Sequence, residues 1–77
     1  MNKQQITDLV VSEIRCCLDI DDVPLGRSIE GLGGNEVDVA TIEHGIGDEL
    51  SIAYLDCHFT EKTKIEDIIT AIYEEQK

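Results

Sequence analysis

Three places in this chain put reactive side chains next to one another. Cys16 and Cys17 are adjacent, Cys57 directly precedes His58, and His44 follows Glu43 on a stretch that also carries Asp48. A zinc centre would need converging N and S donors, usually at C-x₂-C spacing. Cys16, Cys17, Cys57 and His58 lack that spacing, and two neighbours on a helix point about 100° apart, so no metal site is expected. Three cysteines cannot close into an intramolecular disulfide set. They read as reduced thiols of a cytoplasmic protein. Nucleophilic catalysis needs a base facing the nucleophile, and sequence neighbours such as Cys57 and His58 do not face each other. His44 reads as a surface histidine in an acidic field. No catalytic residue is expected, and the chain reads as a non-enzyme.

Two further segments begin like ligand loops and fail. Gly31-Leu32-Gly33-Gly34-Asn35-Glu36 opens like a dinucleotide fingerprint. Its third glycine would fall at Glu36, no strand precedes it, and a carboxylate at that helix start would repel a pyrophosphate. Asp19-x-Asp21 opens like a calcium loop, with Glu30 at its last ligand position. Pro24 stands where such a loop needs Gly, and Val23 and Arg27 replace two ligands.

The elements that position these residues follow from apolar spacing. Ile6, Leu9, Val10, Ile14, Cys17 and Leu18 form one stripe with the period of a helix from Lys3 to Leu18. Asn2 and Gln5 suit a capping box, and Asp19, Asp21, Asp22 and Pro24 end the helix. A long loop runs from Asp19 to Asn35, punctuated by Pro24, Gly26, Gly31, Gly33 and Gly34. Ile29 and Leu32 should pin it to the core. Asn35 is the expected N-cap of a second helix, with Glu36 first and Asp38 third in it. Val39, Ile42, Ile46 and Leu50 continue its apolar side, and Gly45 and Gly47 weaken it or admit a close helix approach. A short helix is expected from Asp56 to about Lys62. Thr63-Lys64-Ile65-Glu66 reads as a capping box ahead of an isoleucine stripe at 65, 68, 69 and 72, with Tyr73. No strand pattern appears. The expected fold is all-α: one domain over residues 1–77, a small bundle of three main helices plus one short helix, with the long loop between the first two.

Length and charge bound the partners. Seventy-seven residues with 42% hydrophobic side chains support one modest core. Asp plus Glu number 17 against 6 Lys plus Arg, a net charge of −11. Nucleic acids and anionic membranes are bound through Lys and Arg, so neither is an expected partner. A basic protein surface is. No apolar run approaches the ~20 residues of a membrane span, no signal peptide is expected, and the chain reads as a monomer.

A helix, a long apolar-pinned loop, Glu30-Gly31-Leu32-Gly33-Gly34-Asn35-Glu36-Val37-Asp38, an acidic second helix, a short helix and an isoleucine-rich last helix together resemble the acyl carrier protein family. Leu32, Gly33, Gly34 and Asp38 match the family motif. Asn35 stands for its Asp and Val37 for its Leu, and the resemblance spans essentially the whole chain. It implies a four-helix carrier fold bearing 4′-phosphopantetheine on a serine at the start of the second helix. That position is Glu36, which has no hydroxyl to form the phosphodiester. Ser28 and Ser51 do not match the motif, so no cofactor is expected. The resemblance also implies partner docking through Glu36, Asp38, Glu43, Asp48 and Glu49, against Arg/Lys patches on an acyl-carrier-dependent enzyme. Two other readings remain: a working carrier of acyl or thioester intermediates in fatty-acid or polyketide-type synthesis, attached elsewhere, and an acidic decoy of a nucleic-acid-binding protein.

Overall fold

The computed structural model describes residues 2–51 and 58–76. Among them are three α-helices, α1 (Lys3–Leu18), α2 (Glu36–Glu49) and α3 (Ile65–Glu75), and a single 3₁₀ turn at Glu30–Leu32. No strand occurs among the described residues; Ser28 and Lys64 form an isolated antiparallel bridge. No helix there is long and apolar enough to cross a membrane.

The first two helices begin as their sequences dictate. Asn2 Oδ1 accepts from the Gln5 N–H at 2.8 Å, and the Asn2 N–H donates to Gln5 Oε1 at 2.9 Å. Asn35 Oδ1 accepts from the N–H groups of Val37 and Asp38, while Asp38 Oδ2 accepts from the Asn35 N–H at 2.9 Å. Both boxes satisfy N–H groups that a helix start leaves without partners. Helix α1 stops where Asp19 turns left-handed (φ 54°), a conformation Asp tolerates better than most residues.

The third helix starts differently. Thr63 does not cap it. Its Oγ1 accepts from the Thr60 N–H at 3.1 Å, and the Thr63 N–H donates to the Thr60 carbonyl, closing a turn at 60–63. The cap position is Lys64, whose side chain makes no capping bond. The long loop replaces it: the Ile65 N–H donates to the Arg27 carbonyl and the Glu66 N–H to the Leu25 carbonyl, each at 2.9 Å. The expected helix from Asp56 is not present over residues 58–62, which hold irregular chain and turn. Asp56 and Cys57 lie outside the described residues.

Helix α1 packs on both α2 and α3. Ile6, Val10 and Ile14 are fully buried between them, meeting Val39, Ile42 and Ile46 of α2 and Ile65, Ile68, Ile69 and Ile72 of α3. Three residues from outside the helices complete the core: Val23 and Ile29 from the long loop, and Phe59. No polar side chain is buried among the described residues. Nearly all of the core is β-branched, so its side chains have few rotamers to lose.

Candidate functional site

Helix α2 carries the five acidic residues expected to dock a partner. With 100° per residue, Glu36 and Glu43 fall along one border of its buried stripe. Asp38 and Glu49 fall along the other, about 120–160° away around the axis. Asp48 stands apart on the outer crest with Val37, Thr41 and His44. The structure therefore pairs the acids two by two and does not gather all five on one face. His44 Nδ1 lies 3.9 Å from Asp48 Oδ1, with the side chains 78% and 75% exposed, so the contact stabilises little.

Asp38 is committed within the chain on both oxygens. Oδ2 closes the α2 capping box, and Oδ1 faces Cys17 Sγ of α1 at 3.6 Å. Cys17 is half-buried. Burial, then the hydrogen bond to Asp38 and its charge, push the thiol above its ordinary value of 9.0. The neutral thiol is thus favoured in the folded state. Its contribution is complete below the unfolded value and is lost as pH rises through the folded one. Chemical denaturation followed from neutral pH to well above 9.0 should show wild type losing stability faster than Cys17→Ala; parallel curves would contradict the assignment.

The other candidates are distributed. Cys16 is exposed on α1, His58 is exposed, and Cys57 lies outside the described residues. Among the described residues no group of three or more His, Cys, Asp and Glu side chains could hold a metal ion. The glycine-rich segment has local structural roles: a turn, a left-handed residue and one close packing contact. Gly31 donates its N–H to Ser28 Oγ at 3.0 Å, Gly33 is left-handed (φ 94°), and Gly34 presses on Ile29 and Leu18.

Sequence reasoning missed a shallow, open depression on the surface of α2, bordered by one residue of α1. It measures about 470 Å³ and is lined by Glu13, Ala40, Thr41, His44, Gly45 and Asp48. Glu13 comes from α1, and its carboxylate occupies the space a Cβ at residue 45 would need. A glycine in a helix interior costs roughly 1 kcal/mol relative to Ala; here it admits a carboxylate from the neighbouring helix. The signal was the unexplained Gly45, which marked a close approach without naming what approaches. No family model, curated protein or solved structure matches this chain.

Proposed function

We propose that this chain is an acyl-carrier-protein-like binding module that docks on a basic protein surface and carries no prosthetic arm at position 36. The observation that carries the reading is the setting of Glu36. It is the first residue of α2, exposed, and follows directly on the glycine-rich turn and the Asn35 cap. In carrier proteins a serine at the start of the second helix bears 4′-phosphopantetheine; a carboxylate cannot form that phosphodiester. The module would therefore act by occupancy and regulation of an acyl-carrier-dependent enzyme, without a prosthetic-arm thiol and without catalysis. Val37, 67% exposed beside Glu36, adds an apolar contact, and the net charge of −11 steers the encounter with a basic partner.

Intact mass after incubation with coenzyme A and a broad-specificity phosphopantetheinyl transferase tests this directly. Wild type should stay unmodified, and Glu36→Ser should gain one phosphopantetheine. A stoichiometric adduct on wild type would make it a working carrier through another residue. An unmodified Glu36→Ser would remove the support for carrier-like docking.

A further inference from the structure

No further inference is drawn: the strongest candidate, the half-buried Cys17 thiol that faces Asp38 where the end of α1 meets the start of α2, is a lone cysteine whose carboxylate neighbour already closes the α2 cap, and nothing else beside it points to a ligand.

Discussion

Ile29→Ala should lower stability by about 2–5 kcal/mol, as much as a core truncation within a helix, although Ile29 lies in a connection. Its side chain is fully buried against all three helices' core. Its carbonyl accepts from the Gly34 N–H at 2.8 Å and from the Leu32 N–H at 3.1 Å, folding the loop over it. On either side, Arg27 and Leu25 supply the carbonyls that cap α3, and the Glu30 N–H donates to the Glu61 carbonyl at 2.8 Å. A cavity at residue 29 therefore loosens the loop and releases the start of α3 together. A domain this small has only a few kcal/mol of net stability, so a large fraction of Ile29→Ala should be unfolded at room temperature. Urea denaturation with Ile14→Ala as reference checks the magnitude. Hydrogen exchange should quicken first at the Ile65 and Glu66 amides. A cost below about 1 kcal/mol would show that the loop is an ornament on a self-sufficient helix bundle.

Gly34→Ala should cost about 1–3 kcal/mol by overpacking. A Cβ there would lie 2.5 Å from Ile29 Cγ2, 3.1 Å from the Ile29 carbonyl oxygen and 3.1 Å from Leu18 Cδ2. The first two contacts belong to the residue that anchors the loop, and the third to the last turn of α1, so nothing nearby is free to withdraw. Gly26→Ala is the control: a Cβ at 26 meets nothing within 4 Å, and its effect should stay within about 0.5 kcal/mol. Because Ile29→Ala deletes the closest clashing atom, the double variant Ile29→Ala/Gly34→Ala should cost less than the sum of its parts by about 1 kcal/mol. Strict additivity would mean that the backbone moves and the predicted overlap never forms. The consequence reaches the candidate site, since Gly34 and Asn35 hold the position from which Glu36 leaves the loop.

Much of the fold is legible in short-range chemistry. Asn2 with Gln5, and Asn35 with Asp38, announce helix starts because each pair closes its hydrogen bonds within one turn. The stripes through Ile6, Val10 and Ile14, and through Ile65, Ile68, Ile69 and Ile72, announce buried faces because a helix repeats every 3.6 residues wherever it sits. Ile29 announces a pinned loop because an isoleucine among glycines and charges has nowhere else to go.

Thr63 shows where such reasoning ends. Thr63 and Glu66 satisfy the pattern of a capping box, yet the carbonyls of Leu25 and Arg27 reach the helix start first, and Thr63 closes a turn instead. The same holds for Cys17 against Asp38 and for Glu13 against Gly45. In each pair one partner comes from a different element, and its arrival depends on how the helices cross and where the loop runs. Order along the chain decided the three main helices, where α1 and α2 begin and which sides the helices bury. Only the tertiary structure decided which distant carbonyl, thiol or carboxylate meets them, because those contacts depend on the path of the chain between the partners and no local period encodes that path.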